Sequence, residues 1–411
     1  MDLNFKNSSA PYSTHGFHTY PAKMIPQIAE ALLNKYGGEV KNVLDPFCGS
    51  GTSLVEANLH GINAIGSDLN PLARLIAKVK TTAIEIQTLD LHLRDFYDYL
   101  FKYRFNIFDN KDSIVAPTFK NIDFWFAKKV KNDLSVIQNY IKNIENHNIA
   151  DFFNVAFSQT IRECSWTRKN EFKLYKMSKD RIKTFKPDAL STFEKILGKN
   201  RNGLLEFMDK KENQVTTIVS DFNSISYIPK KVVPDNSIDL VLTSPPYGDS
   251  TTTVAYGQFS ALSNQWLGFL DNGRALDKDL MGGKRRKNIT TFSSEILNHE
   301  VREIEKTDKQ RALDVVSFFS DYRNSIKNIS QTIKPGGFAC YVVSNRTVRG
   351  VRISTNIATQ DFFEEFGFSY IDSHERLISN KRMPKKNSSL GLKGKTSNLM
   401  NKEFVIVMQK T

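Results

Sequence analysis

The chain has 411 residues, 40% of them hydrophobic, which is ample for a globular core but too long for one small domain. Its net charge of +13 favours a polyanionic partner, although a lysine-rich composition is not specific by itself. No apolar run reaches the roughly 18 residues of a membrane helix, the start carries no secretory signal, and Cys48, Cys164 and Cys340 form no metal-ligand or disulfide pattern, so a reducing cytoplasm without a metal site is expected.

In chain order, Phe17-His18-Thr19-Tyr20-Pro21-Ala22-Lys23-Met24-Ile25-Pro26 precedes a predicted helix over Gln27–Tyr36 that Gly37-Gly38 ends. His18 and Lys23 there read equally as surface residues. Val43-Leu44-Asp45 closes a predicted strand, Pro46-Phe47-Cys48-Gly49-Ser50-Gly51 is a loop, and Thr52 opens a helix. Gly49 and Gly51 permit a tight turn and close approach of a ligand, as in nucleotide-binding α/β folds. Asn63–Asp68 is the next strand, and Asp68 follows Gly49 by about 20 positions, the spacing of an acid that holds ribose hydroxyls. No Gly-Lys-Ser/Thr follows, so a phosphate-cradling loop is disfavoured; the incomplete Gly-x-Gly-x-x-Gly also weakens a dinucleotide reading.

Residues 83–211 read as a helical insertion, with Phe96, Tyr99, Leu100 and Tyr103 at helical spacing. Near its middle, Arg162–Asn170 mixes Trp166 with Arg168 and Lys169. That combination suits base stacking and phosphate contact, and equally a helix end with solvated charges. Strands are then expected to end at Asp221, Thr243 and Ser344, with two more over Phe368–Ser373 and Glu403–Gln409. Lys334-Pro335-Gly336-Gly337 reads as a turn before the strand that ends at Ser344.

The apolar strand Ile238–Leu242 runs into Thr243-Ser244-Pro245-Pro246-Tyr247-Gly248-Asp249-Ser250. Two prolines stop the strand and leave a rigid corner offering a hydroxyl, carbonyl acceptors and an aromatic face. A planar base with an exocyclic amino group needs those features. Beyond it, 251–330 does not read as sheet. Lys284-Arg285-Arg286-Lys287 follows two glycines and reads as a flexible loop, and 376–395 is a second basic stretch containing Arg382, Lys385 and Lys386. Both suit phosphate contacts, and both suit plain solubilising loops.

The corner, the Asp45–Thr52 loop and the Tyr20–Lys23 segment together resemble the amino-group DNA methyltransferases, which methylate N4 of cytosine or N6 of adenine with S-adenosylmethionine. The resemblance is good over 15–80 and 216–256, moderate over 330–345 and weak elsewhere. It implies an α/β fold: a Rossmann-like seven-stranded methyltransferase sheet whose last strand is antiparallel, with a helical insertion and a target-recognition region. The expected parts are a core at 1–82, the insertion at 83–211, core with the corner at 212–250, target recognition at 251–330 and core again at 331–411.

The catalytic set implied is Ser244, Pro245, Pro246 and Tyr247. The cofactor set is Tyr20, Pro21, Lys23, Asp45, Phe47, Gly49, Gly51, Thr52, Asp68 and Asp221, with Asp221 at the adenine amino group. DNA contacts are expected from Arg168, Lys169, Lys284, Arg285, Arg286, Arg382, Lys385 and Lys386. Double-stranded DNA is the implied partner, with a cognate restriction endonuclease, at the nucleoid. The Ser form of the tetrapeptide goes in that family more with cytosine, the Asp form with adenine. No cysteine follows a proline, against the nucleophile of the cytosine-C5 enzymes. Guanosine-N2 methyltransferases of transfer RNA have a similar cofactor loop but an Asp-Pro-Pro-Tyr corner, and a non-catalytic DNA-binding relative would not need both motifs intact.

Overall fold

The computed structural model describes residues 3–5, 11–105, 107, 114–169, 171–212, 214–249, 252–378, 386–387, 397–398 and 402–411. Seven strands form one sheet: β1 (Asn42–Asp45), β2 (Asn63–Ser67), β3 (Thr217–Ser220), β4 (Ile238–Thr243), β5 (Ile333–Val343), β6 (Phe368–Leu377) and β7 (Lys402–Lys410). Their order is β3-β2-β1-β4-β5-β7-β6. The first five run parallel and β7 is antiparallel to both neighbours, which is the α/β methyltransferase-type sheet expected. Successive strands step outward in opposite directions from β1 and β4. The crevice for a ligand therefore opens beyond the carboxyl ends of these two adjacent strands.

Side chains alternate between two buried faces, as period-2 geometry demands. Leu240 and Leu242 of β4, Cys340 and Val342 of β5, and Val405 and Val407 of β7 share one cluster with Ile28 and Leu32. Val241, Ala339, Tyr341 and Ile406 face the other. The first face is covered by helix α1 (Pro26–Tyr36), with proline in its first turn and Gly37 at its end, and by α2 (Thr52–Leu59). Helix α3 (Pro71–Thr81) starts at Asn70, whose side chain accepts from the Leu72 N–H.

The expected helical stretch is α4 (Ile86–Arg104), α5 (Ile122–Trp125), α6 (Lys128–Lys142), α7 (His147–Cys164), α8 (Lys179–Thr184) and α9 (Ala189–Lys210). Its centre is aromatic: the Phe96 ring meets Phe193 at 5.2 Å and Phe153 at 5.8 Å, edge to face.

Four features differ from the sequence-based expectation. Strands β2 and β3 stop at Ser67 and Ser220, so Asp68 and Asp221 are loop residues. The Lys334–Gly337 turn lies inside β5 as a bulge: Ile333 pairs with Ile238 and Phe338 with Leu240, and Gly336 at φ 77° turns the chain. Strand β6 continues past Ser373 to Leu377 because β7 offers a ladder that far. Finally, 252–330 adds no strand, as expected, but its last helix packs directly on the sheet. It holds α10 (Tyr256–Trp266), α11 (Gly273–Asp279), α12 (Glu295–Thr307) and α13 (Lys309–Thr332), and α14 (Thr355–Glu365) follows. Val316, Phe319, Tyr322 and Ile326 of α13 pack with Val241, Tyr341 and Phe362. A parallel β4–β5 pair needs a crossover helix, and α13 is that helix.

Candidate active site

A cavity opens beyond β1, β2 and β4, with about 890 Å³ of empty space when the open solvent at its mouth is included. Of the residues expected to hold a cofactor, Tyr20, Pro21, Lys23, Asp45, Phe47, Gly49, Thr52 and Asp68 line it. Gly51 does not, and serves instead as the left-handed cap of α2 at φ 75°, where a Cβ would stand 2.9 Å from that of Ala77. Gly49 is also left-handed, at φ 49°, and its N–H donates to Asp68 Oδ2 at 3.1 Å. The other Asp68 oxygen accepts from the Asn70 N–H at 2.7 Å. Burial raises the Asp68 pKa to about 6 against these bonds.

The glycine loop is fixed from beneath by a residue that the sequence did not flag. Lys80 is fully buried and donates to the Ser50 carbonyl at 2.7 Å. The Glu56 carboxyl nearby accepts from the Tyr12 hydroxyl at 2.6 Å and meets His15 Nε2 at 2.7 Å; burial raises its pKa to about 7. His18 is buried and kept neutral, its pKa lowered to about 3 by desolvation, and its Nδ1 donates to the Thr19 carbonyl at 2.7 Å.

The two motifs meet directly. Thr243, the last residue of β4, donates its hydroxyl proton to Asp45 Oδ1 at 2.6 Å, and Asp45 Oδ2 accepts from Ser53. The Phe47 N–H adds a third bond at 3.1 Å. Asp45 therefore clamps β1, β4 and α2 together from the edge of the cavity. Burial lifts its pKa to about 6.

Beyond the clamp, Ser244 and Pro246 line the cavity, while Pro245 is buried and Tyr247 lies outside the lining. Ser244 Oγ donates to the Tyr247 hydroxyl at 3.2 Å, which donates to Glu403 Oε1 at 2.9 Å. Arg376 Nε stands 3.1 Å from Glu403 Oε2. Asp249 closes the corner, accepting from the Thr252 N–H at 2.9 Å and pairing with buried Arg346 at 3.1 Å. A Cβ on Gly248 would fall 2.3 Å from that guanidinium, which would have to shift off Asp249.

Several expected residues lie elsewhere or are already engaged. Asp221 is exposed and outside the lining; Phe222 and Asn223, next in the chain, are the residues at the cavity. Lys169 folds inward onto the Arg162 and Ser165 carbonyls at the end of α7, and desolvation lowers its pKa to about 7, so it is not a free phosphate-binding cation. Arg285 pairs with Asp314 at 2.5 Å and Gln310 at 2.9 Å, and Lys284 with Asp279 at 2.9 Å. The 284–287 stretch is not a loose loop either: the Gly282 N–H bonds Asp321 and the Arg286 N–H bonds Ser317, pinning it to α13. The Arg286 side chain remains exposed, as does Arg168 beside the Tyr175 ring. Lys386 lies in a two-residue strand paired with Ser397–Asn398, and Arg382 and Lys385 lie outside the described residues.

Tyr256, Leu280 and Met281 complete the lining from the segment between β4 and α13, with Tyr256 stacked on Tyr20 at 6.1 Å. Aromatic walls with the Asp45 and Asp68 carboxylates at the edge suit a nucleoside carrying a positive sulfonium, since rings attract cations and carboxylates accept from hydroxyls. Among the described residues no group of three His, Cys, Asp or Glu is placed to hold a metal, and no helix is long and apolar enough to cross a membrane.

Comparison with known proteins agrees with this geometry. A family model of an RMKL-like methyltransferase domain matches residues 17–96. The chain is 37% identical to the type II methyltransferase M.MvaI of Kocuria varians over 99% of this chain and 93% of that protein. It is 23% identical to the type II methyltransferase M.BsoBI of Geobacillus stearothermophilus over 57% of this chain and 49% of that one. A tRNA (guanine(10)-N2)-dimethyltransferase of Methanothermobacter thermautotrophicus is 37% identical, but over only 16% of this chain and 19% of its own.

Proposed function

The chain belongs to the type II methyltransferase family, and we propose that it methylates the exocyclic amino group of a base extruded from double-stranded DNA, N4 of cytosine before N6 of adenine, alongside a cognate restriction endonuclease. It is an S-adenosylmethionine-dependent methyltransferase. The observation that carries the DNA-amino reading is the Thr243–Asp45 bond: it brings the Ser-Pro-Pro-Tyr corner to the rim of the cofactor cavity.

The target amino nitrogen is engaged in base pairing inside a duplex, so the base must leave the stack at a cost of a few kcal/mol. Stacking on Tyr247, at about 1–3 kcal/mol per base, offsets that cost. Ser244 Oγ and the Pro245 carbonyl accept the two amino hydrogens. This draws the nitrogen toward tetrahedral geometry and exposes its lone pair to the cavity. S-adenosylmethionine, when bound, supplies the electrophilic sulfonium methyl. On the protein side, Asp68 holds ribose hydroxyls, Tyr20 and Tyr256 wall the cofactor, and Asn223 takes the adenine-facing place first expected of Asp221. Arg168, Arg286 and the basic stretch containing Arg382, Lys385 and Lys386 contact the DNA backbone, and the insertion with the segment after the corner reads the sequence.

The test is a cofactor titration together with methyl transfer to duplex DNA and to transfer RNA. Cofactor binding with transfer to duplex DNA is expected. Transfer to transfer RNA alone would favour the guanosine-N2 reading, and binding without any transfer would overturn catalysis.

A further inference from the structure

The corner carries two hydroxyls, and a hydroxyl can present either its proton or its lone pairs. If Ser244 and Pro245 are the acceptors proposed above, Ser244 Oγ must meet the amino group with a lone pair. Nothing within the tetrapeptide fixes that choice. The neighbouring hydrogen bonds do.

Glu403 enters from the start of β7, 156 positions away in sequence, and its carboxylate has no proton to give. The Tyr247 hydroxyl must therefore donate to Oε1 across 2.9 Å. The Tyr247 oxygen is then open to accept, and the Ser244 proton points at it across 3.2 Å. Once that proton is directed at Tyr247, both lone pairs of Ser244 Oγ are left for an incoming N–H. Arg376, the register partner of Glu403 on β6, holds the second carboxylate oxygen at 3.1 Å. Its guanidinium is buried and neither Nε nor Nη1 has a hydrogen-bond partner, so it holds Glu403 as an ion pair. Burial and the adjacent Glu403 charge push the Tyr247 phenol well above its ordinary pKa, so it keeps its proton.

We propose that Glu403, held by Arg376, is a positioning residue that sets the direction of the Tyr247 and Ser244 hydroxyl protons, so that Ser244 Oγ faces the target amino group as an acceptor. The proposal rests on reading Ser244 and Tyr247 as the catalytic corner. Reversing the polarity at Glu403 reverses the row: Tyr247 then donates to Ser244, and the Ser244 proton faces the amino hydrogens.

Glu403→Gln, Glu403→Asp, Tyr247→Phe and Tyr247→Ala in the full chain test this, with kcat, KM for DNA and Kd for cofactor measured for each. Glutamine is the better steric match but can turn an N–H₂ toward Tyr247; aspartate is shorter but still only accepts. Glu403→Gln is expected to lower kcat about tenfold or more while cofactor Kd changes less than about twofold, since one misdirected hydrogen bond is worth about 1 kcal/mol or more. Glu403→Asp is expected to keep more activity than Glu403→Gln, the opposite of what side-chain shape predicts. Tyr247→Phe, which keeps the ring, is expected to lose kcat by about tenfold on the same ground. Wild-type kcat in Glu403→Gln or Tyr247→Phe, or Glu403→Gln outperforming Glu403→Asp, overturns the relay. Full turnover in Tyr247→Ala overturns the reading of the corner itself; an inactive Tyr247→Ala beside a wild-type Glu403→Gln rejects only the relay.

Discussion

The two walls of the crevice are assembled over different ranges of chain. On the cofactor side, Phe47, Gly49 and Asp68 come from one contiguous strand–loop–helix–strand unit and its end, Tyr20 comes from the segment before α1, and the Gly49–Asp68 bond links the two strand ends. The target side takes Ser244 and Tyr247 from the end of β4, Glu403 from β7, Arg376 from β6 and Arg346 from beyond β5. The glycine-loop residues of the first wall lie close together in sequence. The other exists only when the antiparallel β7 is in register, because a shift of one residue would turn Glu403 to the opposite face.

Asp45 joins the two walls, so Asp45→Ala is the change that damages both. It leaves the Thr243 and Ser53 hydroxyls and the Phe47 N–H without a buried partner. A loss of about 3 kcal/mol or more in stability is expected, at 1–3 kcal/mol per orphaned group, and a denaturant melt measures it. Cofactor binding and methyl transfer should fall together. Tyr247→Ala separates the walls instead: kcat/KM for DNA should drop by about 1–3 kcal/mol of lost stacking while cofactor affinity in a titration stays unchanged. Equal losses in both measurements would show that the walls are not independent.

Proton linkage acts on the cofactor wall through Asp68. Burial raises Asp68 from 3.8 to about 6, so folding favours its protonated form. That contribution to stability is fully present below pH 3.8 and is lost as pH rises through about 6. Cofactor affinity has the opposite sign, because only the carboxylate can accept from both ribose hydroxyls. Cofactor Kd should therefore rise as pH falls below about 6, and Asp68→Asn should remove that step while leaving any due to Asp45 or Glu56. The smallest effects are expected at the surface. Arg286→Ala should reduce the salt dependence of DNA binding by about one unit of slope, and Arg285→Ala by less, since its guanidinium is already paired with Asp314.

The sequence made the local wall legible for a physical reason. Glycines at left-handed positions, an acid about 20 residues on and a proline-stopped strand are all short-range signals. Asp221 lies just outside the cavity lining, which its next two neighbours reach. Strand β3 ends at Ser220 and the chain turns, leaving Asp221 outside while Phe222 is buried and Asn223 reaches the cavity. Glu403 and Arg376 look like any charged pair in isolation, and only pairing across β6 and β7 puts them behind Tyr247. Basic composition counts cations without saying which are occupied: Lys169 caps carbonyls at the end of α7 and Arg285 binds α13. The helix α13 was hidden because a long crossover with a polar outer face reads like any excursion from the sheet until its inner face meets β4 and β5.

The joining of a cofactor loop to an amino-accepting corner is tested most directly by mass spectrometry of nucleosides from duplex DNA incubated with the purified protein and S-adenosylmethionine. N4-methylcytosine is the expected product; N6-methyladenine would keep the site and change the base. Methylation confined to a ring carbon, or no methylated nucleoside from a protein that binds the cofactor, would contradict it.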